Sequence, residues 1–185
     1  MVKKANIKPI LKASYLNQNE ASQKLSSLGY KYDPELSTNE SKVFTDKKGR
    51  PNIAFRGSKR VSDFLGSDVK LALGLEKYDN RFKEAKLLTK LVEDKYHQPA
   101  NVFGHSLGGS LGEKSGAHGK IVTYNKGAGL LDIGKTIPKN QYDIRTTGDV
   151  VSLLSKTQNH KYGNFKEIQT PQTQGLIQAH DINNL

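Results

Sequence analysis

The sequence predicts an α/β domain with a central, mostly parallel sheet flanked by helices, and three observations point there. Strand-like apolar runs recur around residues 43–45, 53–55, 101–103, 121–124 and 142–145. Segments of helical periodicity separate them, the clearest passing through Phe82, Ala85, Leu88, Val92 and Tyr96. One of the runs leads directly into Gly-His-Ser-Leu-Gly at 104–108, a sequence suited to a sharp turn from strand to helix.

Taken in order, residues 10 to 30 read as one or two short helices, with Leu11, Tyr15, Leu16, Ala21, Leu25 and Leu28 near helical spacing and Gly29 closing the pattern. Residues 31 to 41 are polar and read as loop. A hairpin follows: Val43 and Thr45 alternate, Lys47, Lys48 and Gly49 make the turn, and Pro51 opens a strand through Ile53, Ala54 and Phe55. Residues 58 to 80 are irregular, with an apolar patch at Leu71, Ala72, Leu73 and Leu75. Asp79 or Asn80 is the expected cap of the long amphipathic helix, Pro99 stops it, and a strand at 101–103 follows. Residues 107 to 116 predict a short helix, 121 to 124 and 142 to 145 two further strands.

A length of 185 residues suits one domain with a real core, residues 1–185, of which 1–42 form a helical and loop extension. The apolar stretch of Ile7, Pro9, Ile10 and Leu11 is broken and shorter than a secretory leader requires, so no signal peptide is expected. No later run approaches the roughly 18 apolar residues of a membrane span. With no cysteine there is neither a disulfide framework nor a thiolate site, which fits a cytoplasmic or other intracellular setting for a soluble or peripheral protein. The net charge of +11 favours anionic surfaces. No helix-turn-helix, zinc-finger or aromatic-and-basic motif accompanies that charge, which argues against nucleic acid.

Ser106 lies where the expected strand turns into the expected helix, between Gly104 and Gly108. Such a turn strains the middle residue, lifts its hydroxyl above the sheet and aims the N–H of Leu107 at the place where a tetrahedral oxyanion forms. An activated serine needs a histidine and an acid, and in this architecture they follow it in the order acid, histidine. His118 stands too close behind the turn to return to it, and His160 sits in the polar stretch TQNHKYG, which reads as an exposed loop. His180, in the closing segment IQAHDINNL, is the expected base, with His160 the alternative. His97 and His105 read as surface or packing residues. Asp149, just beyond the strand YDIRTT, is the expected acid, with Asp132 and Asp143 the alternatives. Its bland role is a turn carboxylate or the cap of a short helix at 150–154.

These stretches resemble the class 3 lipase family, whose members share an α/β-hydrolase fold and cleave acyl esters of glycerides or phospholipids. The resemblance rests on AFRGS at 54–58, Asp63-Phe64-Leu65, GHSLGG at 104–109, TTGDVV at 146–151 and AHDI at 179–182, and spans residues 43 to 185. It implies Ser106 as nucleophile, Asp149 as acid and His180 as base. It adds Ser58, whose backbone N–H and hydroxyl join the Leu107 N–H in the oxyanion hole, and a lid at about 66–77. The leucines of that interval read equally as a lipid-facing surface or as ordinary packing. The stretch VTYNKGAG, and Glu113 and Lys114 so soon after the elbow, depart from the family pattern.

The expectation is therefore a serine-dependent hydrolase of lipid carboxylic esters, working through an acyl-serine without metal or cofactor, with a lipid ester as substrate and anionic membrane surfaces as a peripheral partner. Two rivals stand beside it: a non-catalytic lipid-binding or assembly protein that retains the fold, and an acyltransferase or thioesterase using the same three residues.

Overall fold

The computed structural model describes residues 4–58, 79–162, 164–169 and 176–185. The step Asp63-Phe64-Leu65, the apolar patch at 71–75 and the expected lid at 66–77 lie outside the described residues.

Seven strands form one sheet in which spatial order follows chain order: β1 (Lys31–Asp33), β2 (Ser41–Thr45), β3 (Pro51–Phe55), β4 (Asn101–His105), β5 (Ile121–Tyr124), β6 (Gln141–Thr146) and β7 (Phe165–Ile168). β1, β2 and β3 pair antiparallel, and β3 through β7 pair parallel. The expected hairpin is β2–β3. Its turn is made by Asp46, whose carboxylate accepts the N–H groups of Lys48 (2.8 Å) and Arg50 (3.1 Å), and by Gly49 at φ 75°. Pro51 opens β3, where no ladder bond from its nitrogen is needed.

Two strands depart from the sequence expectation. Residues 31–33 are strand rather than loop: Tyr30 and Tyr32 flank Lys31 and pack onto the apolar cluster beneath, which draws the segment alongside β2. β7 is short and polar, and its Phe165 ring lies 3.9 Å from the Arg145 guanidinium of its neighbour β6.

Among the described residues the helices are α1 (Ile7–Ala13), α2 (Gln18–Ser27), α3 (Asp79–Tyr96), α4 (Leu107–Glu113) and α5 (Leu176–His180). Asn17 and Glu20 close a reciprocal capping box on α2. In α3, Asp79 and Asn80 already stand in helical turns, not at the cap. α4 stops three residues before its expected end. Ser115 Oγ donates to the Gly112 carbonyl and Gly116 takes a positive φ of 76°, so the chain turns away. The helix expected at 150–154 is instead a turn leading into a 3₁₀ turn at Leu154–Thr157.

Strand alternation divides the core between the two faces of the sheet. Val43, Ile53, Phe55, Val102 and Ile121 pack against Ala85 and Val92 of α3 and Leu107 and Leu111 of α4. Phe44, Ala54, Phe103, Tyr124 and Ile144 pack against Ile10 and Leu11 of α1 and Leu25 of α2. The sheet is thus covered on both sides. The C-terminal ends of β3, β4, β5 and β6 converge on one edge, where Gly57 and Ser58, Ser106, Asn125 and Asp149 follow them.

Candidate active site

Ser106 joins β4 to α4 with φ 58° and ψ −128°, a conformation that costs a non-glycine residue free energy and survives only where its surroundings fix it. The glycines on either side are required by close backbone packing. A β-carbon on Gly104 stands 2.1 Å from the Gly108 carbonyl oxygen, and one on Gly108 stands 2.2 Å from the Phe55 carbonyl oxygen. The first turn of α4 therefore lies directly on the ends of β3 and β4. The amides of Gly109 and Ser110 return to the Ser106 carbonyl at 2.9 and 3.4 Å, whereas the Leu107 N–H belongs to the helix start, where no carbonyl of the same helix accepts it.

The loop after β3 approaches the same point. A β-carbon on Gly57 meets Ser106 Cβ at 3.1 Å, so the step from Gly57 to Ser58 runs beside the serine. Ser58 Oγ is buried and has no hydrogen-bond partner among the described residues.

His180, at the end of α5, donates from Nδ1 to Asp149 Oδ1 at 2.8 Å, and both side chains are buried. Asp149 also accepts the N–H groups of Val151 and Ser152, each at 3.1 Å. It is at once the turn carboxylate and the histidine's partner. Burial works against its charge, and the bonds from His180 and Ser152 outweigh that, holding the carboxyl below the ordinary aspartate range. With Nδ1 engaged, His180 Nε2 is buried without a hydrogen-bond partner among the described residues. A nitrogen so placed can take a proton.

Three side chains from the strand ends hold the segment carrying His180. Asn125 donates to the Ala179 carbonyl at 3.2 Å, His105 to the His180 carbonyl at 3.0 Å and Tyr124 to the Asp181 carbonyl at 3.2 Å. The His105 and His180 rings lie 4.8 Å apart between centroids. His105 immediately precedes Ser106, so this contact brings His180 and the serine to the same edge.

Comparison with family models, curated proteins and solved structures gives no match for this chain. Ser106, Asp149, His180, Ser58 and Leu107 all fall on the sheet's C-terminal edge. The alternatives go elsewhere. His160 is mostly buried, not exposed as its polar surroundings suggest, and its Nε2 pairs with Asp143 at 3.1 Å. His118 is exposed and pairs with Glu93 at 2.6 Å, and Asp132 pairs with Lys114 at 2.8 Å. His97 is exposed at φ 51°. His105 is a packing residue and more, because its ring carries two polar contacts. Nothing in the sequence links it to Tyr15; those positions lie 90 residues apart and only the fold joins them. Among the described residues no three His, Cys, Asp or Glu side chains form a metal-binding group, and no helix is long and apolar enough to cross a membrane.

Proposed function

We propose that this chain is a serine-dependent carboxylic ester hydrolase of the α/β-hydrolase type, acting on lipid esters. One observation carries the reading: a serine at φ 58° on a strand-to-helix turn shares a sheet edge with a buried histidine whose Nδ1 is held by an aspartate and whose Nε2 is left open. The chemistry follows from those atoms. Ser106 Oγ attacks the ester carbonyl carbon while His180 Nε2 takes its proton, and Asp149 stabilises the imidazolium without receiving the proton. The oxyanion is met by the N–H groups of Leu107 and Ser58. Collapse breaks the acyl–oxygen bond, the imidazolium returns its proton to the leaving alcohol, and water repeats the sequence on the acyl-serine. The net charge of +11 supports an anionic lipid interface as the setting.

Covalent labelling by a fluorophosphonate, with and without anionic vesicles, tests the reading against Ser106→Ala. Labelling of the wild type and none of the variant is the expected result. The vesicle arm asks whether an interface improves access to a serine only 4 % exposed. A wild type that never labels in either arm favours the non-catalytic lipid-binding protein.

A further inference from the structure

We propose that Tyr15 and His105 are positioning residues that tie the oxyanion loop to the segment bearing the base; the proposal rests on the hydrolase reading above. Hydrogen-bond chemistry orients the chain without ambiguity. A backbone carbonyl only accepts, so the contact of His105 Nε2 with the His180 carbonyl at 3.0 Å requires the proton on Nε2. In a neutral imidazole Nδ1 is then the acceptor, and it receives the Tyr15 hydroxyl proton at 2.7 Å. The Tyr15 oxygen accepts in turn from the Gly57 N–H at 3.2 Å. One directed path therefore runs from the Gly57 amide through Tyr15 and His105 to the carbonyl of the catalytic histidine itself.

That path crosses four parts of the fold: the loop after β3, the end of the α1 layer, the last residue of β4 and α5. Three of them carry or adjoin a reacting group, and Tyr15 in the fourth joins them. Gly57 precedes Ser58, His105 precedes Ser106, and the accepted carbonyl belongs to His180. The Gly57 amide is committed to Tyr15, which leaves the Ser58 amide as the donor that the described residues of this loop offer to an oxyanion. The direction holds only while His105 is neutral. A proton on Nδ1 would face the Tyr15 hydroxyl with a donor and break the path. Burial first, and the neighbouring His180 ring second, push His105 down to about 3, and burial likewise pushes the Tyr15 hydroxyl up to about 12, so both keep their protonation across the working range. The N-terminal extension thus supplies a part of the site and not only a cover for the sheet.

The experiment follows fluorophosphonate labelling of the full chain in time, beside kcat and KM on p-nitrophenyl butyrate. The end-point gives the competent fraction and the initial rate gives reactivity per competent site. Tyr15→Phe keeps the ring and removes one oxygen. Its expected result is an unchanged end-point and KM with a roughly 10- to 100-fold fall in labelling rate and kcat, the scale of a small misplacement of reacting groups. His105→Gln offers one N–H and one carbonyl oxygen in place of the imidazole's donor and acceptor, and should restore most of the rate that His105→Leu loses. A role confined to stability lowers end-point and melting temperature together and leaves the rate per labelled site at the wild-type value. That result in Tyr15→Phe and His105→Leu overturns the proposal, and the Gln and Leu pair decides it if Tyr15→Phe does not fold. A wild type that never labels removes the nucleophile and the proposal with it. Wild type and Tyr15→Phe labelling equally fast at Ser106 overturns the positioning role alone.

Discussion

His105 faces Tyr15, Tyr124 and His180, with the carboxylates of Asp149 and Asp181 near enough to favour its charge, yet burial dominates and keeps it neutral. This has a consequence for stability against pH. Folded, the imidazole binds a proton only near pH 3, whereas in the unfolded chain it does so near an ordinary histidine value of about 6.5. Between these values the unfolded state holds more protons, so acidification favours unfolding. The contribution of His105 is full above the unfolded value and is lost as pH falls toward the folded one, with a slope approaching about 1.4 kcal/mol per pH unit. Asp149 and Asp143, both held below the ordinary aspartate range, act in the same sense at lower pH. His118, raised by its surface bond to Glu93, acts in the opposite sense but is fully exposed. Urea midpoints measured from pH 7 to pH 4.5 should therefore fall for the wild type and flatten in His105→Gln. A wild-type midpoint that stays level over that range would contradict a neutral buried His105.

At the scale of elements, the strand-to-helix turn at Ser106 is first of all a packing problem. α4 is only seven residues long, too short to hold itself by propensity, and it is fixed by lying on β3 and β4. Gly108→Ala puts a methyl 2.2 Å from the Phe55 carbonyl oxygen, against backbone that has no rotamer to change. Gly112→Ala, one turn later, meets Val102 Cγ1 at 2.9 Å, a side chain that can turn aside, and alanine's helix preference works in its favour. The first should lose about 1–3 kcal/mol by overpacking and most of the labelling rate, the second little of either. Equal melting temperatures for the two variants would show that α4 is not seated as described. The same local logic explains what was legible in the sequence. The elbow, the β2–β3 hairpin and the long helix α3 each declare themselves within a few residues, through glycine spacing, turn chemistry or a 3.6-residue period. β1 and β7 do not, because Lys31-Tyr32-Asp33 and Phe165-Lys166-Glu167-Ile168 are polar and lack the apolar run that announces the comparably short β5. Motif and chain order singled out Ser106, Asp149 and His180, which the fold brings to one edge of the sheet with the last two hydrogen-bonded. They did not single out Tyr15, Tyr124 and Asn125, since a hydrogen bond closed by the tertiary fold leaves no trace in spacing.

Across the whole molecule, the two faces of the sheet are finished differently. The face under α1 and α2 is apolar to the edge of β6, where Tyr142 and Ile144 point. On the opposite face α4 ends at Glu113, and β6 turns Gln141 and Asp143 toward it instead of apolar side chains. These groups gather around Lys126, which is 2 % exposed. Lys126 Nζ pairs with Glu113 and, at 2.9 Å, with Asp143. Gln141 donates to both carboxylates, Gln158 to Glu113, Thr123 to Asp143, and His160 closes the far side. The cluster joins α4, β5, β6 and the segment at 158–160, so the helix that follows Ser106 is tied to the strands beside it. Its cost falls on whichever partner is left alone. Lys126→Met buries two carboxylates without their cation, and should destabilise the fold by about 3–5 kcal/mol at pH 7. The pH dependence of that loss identifies its cause. Against its burial, the His160 bond and then Lys126 hold Asp143 at about 2, and the stability it contributes is lost as pH falls below the ordinary aspartate value. Without Lys126, Asp143 keeps its burial and its His160 bond but loses the cation, so its carboxyl moves up and protonation costs the folded state less as pH falls. The gap between variant and wild type should accordingly narrow from pH 7 to pH 4.5, and Lys126→Met combined with Glu113→Gln should be more stable than Lys126→Met alone. A gap independent of pH, with the second substitution adding its own loss, would mean that Lys126 acts by packing its stem and not by its charge.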